Sequence, residues 1–175
     1  MRSWQYLFLS GLCVVAQGPK PPLGEYAAKV VLLERITRFV EWPAADKVNG
    51  GHREFLLGVV GQNPFGDELD TYFLNHQIKG RPVRIRYFKG PGDLRTCDLL
   101  FISASENTRL KDILAKLGSA ATLTIGDSEG FAVNGVMVNI TRDNDHLGFE
   151  VNLTAAREGR IRLASGFLQI AKVIN

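Results

Sequence analysis

The chain has 175 residues, of which 45% are apolar and 22% are charged. This length and composition are typical of one globular domain and exclude an intrinsically disordered chain. The formal net charge is +3, and the basic residues are scattered, with their densest run at Arg81, Arg84 and Arg86. Because nucleic-acid binding needs a basic stripe and a recognisable reading element, the sequence predicts no nucleic-acid partner.

The N-terminus has the features of a secretory leader. Arg2 is followed by an apolar run from Trp4 to Ala16 and then by the Pro-rich segment 17–22. A positive start, an apolar core and a helix-breaking exit predict a signal peptide over residues 1–18, cleaved after Ala16 or Gly18. The run is too short for a comfortable membrane span, so residues 19–175 are predicted to form a single exported domain without stable membrane insertion. An uncleaved anchor or a buried N-terminal helix is the alternative.

The first half of the mature chain alternates strands and helices. Helical spacing of apolar residues predicts a helix over 25–42, ended by Pro43, and a strand follows over 55–61. Asn63 and Pro64 suit the start of a second helix. Further strands are predicted over 83–88, 98–102 and 121–125, with a helix between the last two that begins after Ser103 and ends at Gly118.

The second half differs. Strands over 136–140 and 148–152 flank a polar turn and predict an antiparallel hairpin at the sheet edge. Residues 153–173 are predicted to be helical, broken into two pieces at Gly159 and Gly166. Together these patterns predict an α/β fold whose sheet is mostly parallel and carries helices on both faces.

Residue types that carry chemistry are few. Cys97 is the only cysteine after the leader, which precludes an internal disulfide, and its place before an apolar strand favours burial over a reactive thiol. No nucleophile elbow, phosphate loop or zinc-protease motif is present, and the acidic turn at 143–145 lacks the spacing of a calcium loop. Each of the three histidines, His52, His76 and His146, also lacks a second ligand at metal spacing. No enzyme activity, metal or cofactor is therefore expected.

Polar side chains follow several of the predicted parallel strands. These are Asn63, Ser103, Ser105 and Asp127. The carboxyl ends of parallel strands meet at one edge of the sheet, where ligands of open α/β folds bind. A small-molecule binding module that uses this edge is thus one hypothesis, and simple capping of the following helices is its alternative.

A second candidate surface is a docking site for another protein. Glu150 and Asn152 alternate with apolar residues on the predicted edge strand, so they are expected to face outward together. Trp42, at the end of the first helix, and Arg160, after the last predicted strand, complete the predicted protein-binding set. The alternative is that Glu150 protects the edge from aggregation, Asn152 caps a helix and Trp42 belongs to the core.

Six strings in this order resemble the YfiR-like family over a region from about Glu25 to the C-terminus. They are FVEWP (39–43), GQNPFG (61–66), CDLLFISASE (97–106), LTIGDSEGF (123–131), FEVNLTAA (149–156) and LASGFLQIAKV (163–173). The resemblance implies a secreted three-layer α/β/α sandwich that has no enzyme activity and can self-associate as a homodimer.

The resemblance also implies a function. The name member of the family lies in the periplasm and represses a membrane-bound diguanylate cyclase by binding that enzyme's periplasmic sensor domain. Release of this repressor raises cyclic di-GMP and promotes biofilm formation. Two departures limit what is carried over. Disulfide-based redox control is not expected with Cys97 alone, and the typical Gly-Leu pair reads Gly159-Arg160 here.

Overall fold

The structure is a computed structural model that describes residues 24–43, 54–143 and 146–174. The predicted signal peptide and its cleavage site lie outside the described residues, as do His52, Asn144 and Asp145. No helix in the described ranges is long and apolar enough to cross a membrane.

The described chain contains five helices and ten strands. The helices are α1 (Glu25–Arg38), α2 (Glu68–Phe73), α3 (Leu110–Leu117), α4 (Leu153–Glu158) and α5 (Ser165–Leu168). The strands are β1 (Val40–Glu41), β2 (Phe55–Val60), β3 (Gln77–Ile78), β4 (Arg81–Phe88), β5 (Leu99–Ile102), β6 (Leu123–Gly126), β7 (Val138–Asp143), β8 (His146–Asn152), β9 (Arg162–Leu163) and β10 (Lys172–Ile174). Short 3-10 segments cover Pro91–Asp93 and Ala104–Arg109.

Eight of these strands form one sheet in the order β10-β8-β7-β6-β5-β2-β4-β3. The run from β4 through β2, β5 and β6 to β7 is parallel throughout. β7 and β8 form the predicted antiparallel hairpin, and the short β10 pairs with β8 in parallel as the end strand. The predicted α/β fold with a mostly parallel sheet is confirmed.

Both faces of the sheet are apolar and covered by helices. Side chains alternate along a strand, so in β5 Leu99 and Phe101 join a core with α1 and α2, while Leu100 and Ile102 join a core with α3. All four are fully buried. A strand buried on both sides reads as a continuous apolar run, which is why this segment could be recognised from sequence.

Helix boundaries differ from the prediction at both ends of the chain. α1 ends at Arg38, because residues 40–41 form β1, which pairs antiparallel with β9. The predicted C-terminal helix over 153–173 is instead α4, β9, α5 and β10. It breaks after α4 because Arg160 adopts a left-handed conformation with φ of 56°. The N–H of Arg160 then bonds to the carbonyl of Arg157, and that of Ile161 bonds to the carbonyl of Ala156, as in a Schellman end.

Candidate functional site

Ser103 and Ser105 lie together at the carboxyl ends of β2 and β5. Ser105 Oγ accepts the N–H of Gln62 at 2.9 Å, and Ser103 Oγ accepts the N–H of Ser105 at 3.4 Å. Gly61, with φ of 93°, allows this close approach, because an added Cβ would lie 2.4 Å from Ser105 Oγ. Ser105 therefore ties the ends of β2 and β5 together, whereas Ser103 caps the 3-10 segment that follows β5. Beside Ser105 lies an open depression that also exposes Lys89 and is about 360 Å³ in volume.

Asn63 does not begin a helix. Its Oδ1 accepts the N–H of Phe65 at 2.9 Å and its Nδ2 donates to the carbonyl of Gly66 at 2.8 Å, which closes a turn ahead of α2. α2 starts only at Glu68. The helix start predicted at Asn63 and Pro64 is therefore wrong, because both polar groups of the Asn63 side chain are used within the turn.

Asp127 is held in a buried ion cluster, here defined as Glu25, Lys29, Asp127 and Arg142. Lys29 Nζ lies 2.7 Å from Asp127 Oδ2 and 2.8 Å from Glu25 Oε1, and Arg142 Nη1 lies 2.6 Å from Glu25 Oε2. The side chains of Lys29 and Asp127 are 6% and 4% exposed. The cluster joins the start of α1 to the carboxyl end of β6, so Asp127 serves first to dock this helix.

The cluster shifts the pKa values of its members. Burial lowers the pKa of Lys29, but hydrogen bonds to Asp127 and Glu25 outweigh burial and raise the pKa above its usual 10.5. Burial raises the pKa of Glu25, but Lys29 and Arg142 together bring it below its usual 4.5. Both groups are therefore held in their charged forms at neutral pH.

Sequence reasoning placed Lys29 on the polar side of the first helix. A signal for its role was nevertheless present, since positions 26, 29, 30 and 33 share one helical face. Tyr26, Val30 and Leu33 on that face all pack against the core. A lysine on an apolar stripe indicates a buried partner, because an unpaired buried charge is costly.

A second depression borders Asp127 and Arg142, and we call it the Asn139 pocket. Its volume is about 490 Å³, and its lining includes Asp127, Glu129, Val133, Asn139, Arg142 and Glu150. Asn139 and Glu150 are register partners in the β7–β8 hairpin, and the loop after β6 forms the facing wall. Sequence reasoning named Asp127 as a ligand-binding candidate at this edge and Glu150 as a protein-docking residue, but it did not identify Asn139 or this pocket.

The predicted docking residues do not form one outward face. Asn152 is only 9% exposed. Its Oδ1 caps α4 by accepting the N–H of Ala155 at 2.8 Å, and its Nδ2 donates to the carbonyl of Ala132 at 2.8 Å. β10 pairs with β8 along Glu150–Asn152, so β8 is not an edge strand either. The expectation that Glu150 and Asn152 face outward together on an edge is therefore wrong.

The remaining docking residues lie at opposite ends of the sheet. The Trp42 indole donates to the carbonyl of Asp98, before β5, at 3.0 Å and packs edge-on against Phe55. Arg160 is exposed, and its guanidinium donates to the carbonyl of Ser119, before β6, at 3.0 Å. Glu150 lies instead near the carboxyl end of β6, because it pairs with Asn139, which in turn pairs with the last residue of β6. Glu150 Oε1 accepts a hydrogen bond from Lys172 at 3.0 Å.

Cys97 is buried, as predicted, and burial raises the pKa of its thiol to about 12. Within the described ranges no three or more His, Cys, Asp or Glu side chains are grouped so that they could hold a metal ion. His76 stacks on Tyr72 at 3.9 Å between ring centroids, and His146 is exposed on β8.

Two solved structures share the fold. The ABC domain in complex with L-Trp from Streptococcus pneumonia has a TM-score of 0.56 at 10% identity, with 85% of this chain and 60% of that chain covered. A conserved domain protein from Vibrio cholerae O1 biovar eltor has a TM-score of 0.60 at 12% identity, with coverages of 86% and 60%. The chain thus spans about 60% of the length of each, and identities this low show the fold alone. No curated protein matches the chain.

The YfiR/HmsC-like family model matches residues 26–172, which run from the first turn of α1 into β10. This range contains the parallel strands, the hairpin, the Asn139 pocket and every member of the ion cluster except Glu25. The resemblance carried by the six sequence strings is confirmed, and the chain belongs to the YfiR/HmsC-like family.

Proposed function

We propose that this protein is a periplasmic signalling regulator that binds the periplasmic sensor domain of a membrane-bound diguanylate cyclase and represses it. The observation that carries the proposal is the family match over residues 26–172. The family is regulatory, non-catalytic and periplasmic. Export through the signal peptide over residues 1–18 belongs to the same proposal, and mass spectrometry of the protein from the cell envelope tests it, with an intact Met1 as the contradicting result.

Arg160 is the predicted docking residue that we retain for this function. Its backbone occupies the left-handed region with φ of 56°, where glycine is usual and other residues are strained. Strain that is kept at an exposed position is typical of functional sites. Glu150, at the other end of the sheet, belongs to a different surface, and Trp42 contributes mainly to the core beside Phe55.

The test is direct binding between the exported chain and the sensor domain of a diguanylate cyclase encoded beside it, measured by biolayer interferometry. Arg160→Ala should weaken binding about tenfold or more, the range of an interface arginine. Arg157→Ala is the matched control, because Arg157 is an exposed arginine on the adjacent α4. Wild-type affinity in Arg160→Ala would remove this residue from the interface.

A cellular measurement tests repression itself. Deleting the gene should raise cyclic di-GMP, and supplying the wild-type chain should lower it again. If the sensor domain does not bind the wild-type chain and deletion leaves cyclic di-GMP unchanged, the proposed function is wrong. Self-association is part of the same proposal, and light scattering of the exported chain measures it directly.

A further inference from the structure

The Asn139 pocket contains a buried hydrogen-bond acceptor without a donor. Asn139 is 1% exposed, and its Nδ2 donates to the carbonyl of Ser128 at 2.9 Å. This bond fixes the orientation of the amide, because a flipped amide would set its oxygen against a carbonyl oxygen. Asn139 Oδ1 is then left with no partner among the residues that the structure describes. A buried acceptor without a donor is costly, so the site favours a ligand that supplies an N–H or O–H group.

The charges around the pocket favour a cation. Three carboxylates line it, those of Asp127, Glu129 and Glu150, together with the guanidinium of Arg142. Asp127 is paired with Lys29, and Glu150 is paired with Lys172. Arg142 is engaged with Glu25, whereas Glu129 is exposed and forms no ion pair within the described part of the chain. An anionic ligand would meet the uncompensated carboxylate of Glu129, while a ligand with a protonated amine would meet both this carboxylate and the acceptor of Asn139.

The size and place of the pocket fit a small molecule. A volume of about 490 Å³ lies within the range of roughly 300–1,000 Å³ that is typical of ligand sites. The floor is a cross-strand pair of the sheet, Asn139 and Glu150, and is therefore held rigidly. Val133, which is 68% exposed, gives the opening an apolar side.

We infer that the Asn139 pocket binds a small organic cation that carries a primary ammonium group on a short aliphatic chain. The ammonium group donates to Asn139 Oδ1 and is compensated by the carboxylate of Glu129, while the aliphatic part contacts Val133. This site is separate from Arg160, so binding of the cation and docking of the sensor domain are tested independently.

Calorimetric titration of the exported chain with 1,4-diaminobutane tests the inference, and 1,4-butanediol is the uncharged control of equal length. The diamine should bind at least about tenfold more tightly than the diol, since hydrogen bonds between charged groups are the stronger ones. Asn139→Leu should weaken diamine binding about tenfold or more through loss of the acceptor. Glu129→Gln keeps the loop intact and should weaken diamine binding about threefold to tenfold through loss of one charge.

Glu68→Gln, an exposed carboxylate on α2, is the matched control and should bind as the wild type does. If Asn139→Leu fails to fold, the diamine affinity of Glu129→Gln compared with that of Glu68→Gln still tests the inference. Absence of diamine binding, equal binding of the diol, or equal loss in both glutamine variants would overturn the inference and leave Asn139 satisfied by water alone. None of these results bears on the affinity for the sensor domain, which depends on Arg160.

Discussion

Lys29→Met isolates the contribution of the buried ion cluster to stability. Methionine keeps most of the aliphatic side chain but removes Nζ, which lies 2.7 Å from Asp127 Oδ2 and 2.8 Å from Glu25 Oε1. The Asp127 side chain is only 4% exposed, so its carboxylate would stay buried without its cation. Removing one member of a buried pair costs about 3–5 kcal/mol. Because Glu25 keeps Arg142 as a partner, we expect a loss near the low end, about 3 kcal/mol.

Thermal unfolding followed by circular dichroism measures this loss. For a domain of this size about 3 kcal/mol corresponds to a fall in Tm of roughly 6–12 °C. Adding Asp127→Asn to Lys29→Met should recover more than half of the fall, because no charge then remains buried without compensation. Arg162→Met is the control, since Arg162 and Glu41 lie 3.9 Å apart with side chains 85% and 71% exposed, and no resolvable change is expected there.

Two results would refute this reasoning. One is a fall in Tm of less than about 2 °C for Lys29→Met. This would mean that water takes the place of Lys29 beside the Asp127 carboxylate without loss of stability. The other is a double variant no more stable than Lys29→Met alone. Either result would show that the buried Asp127 carboxylate is not the source of the penalty.

Four further predictions follow from the same structure. Gly61→Ala should lower the free energy of unfolding by about 2–4 kcal/mol, because φ is 93° and the new Cβ would lie 2.4 Å from Ser105 Oγ; a midpoint in urea equal to that of the wild type would contradict this. Arg160→Gly should raise the free energy of unfolding by about 0.5 kcal/mol, because the strain relieved in the left-handed backbone exceeds the entropy that glycine loses on folding. A loss of stability would show that the backbone at φ of 56° is not strained. The Cys97 thiol should react with a thiol reagent at neutral pH only as fast as the protein opens, because burial raises its pKa to about 12, and labelling within seconds would be incompatible with this. Stability should fall as pH drops below about 4.5, because Lys29 and Arg142 outweigh burial and hold the pKa of Glu25 below 4.5. A group with a lowered folded-state pKa loses its contribution to stability as it is protonated. If the free energy of unfolding of Glu25→Gln falls with acid as steeply as that of the wild type, Glu25 is not the source.

The parts of the fold that could be predicted are those with strong local patterns. Residues 99–102 are apolar without interruption and form β5, and the hairpin was indicated by two strand-like runs around a polar turn. β1, β9 and β10 were missed because each has only two or three residues. Such short strands exist through distant partners, such as Leu163 for Val40, and local propensity carries little information about them.

The candidate sites were harder to predict for a related reason. Asn63, Ser103 and Asp127 do lie at strand ends, but their polar atoms close a turn, cap the following 3-10 segment and bind Lys29, respectively. Asn139 stands in an apolar strand segment, where a single polar residue has no distinctive spacing. Its free acceptor becomes visible only when the Ser128 carbonyl is placed against its amide nitrogen.

The pairing of β1 with β9 has a consequence for how the chain is made. Val40 and Leu163 are register partners, and the residues that separate them include most of the sheet. The ribosome therefore releases α1 and β1 long before the residues that fix their position exist. Closing so long a loop delays the final assembly until nearly the whole chain has emerged. A chain that completes its fold only at the end of synthesis is compatible with the proposed export, in which the chain crosses a membrane before it folds.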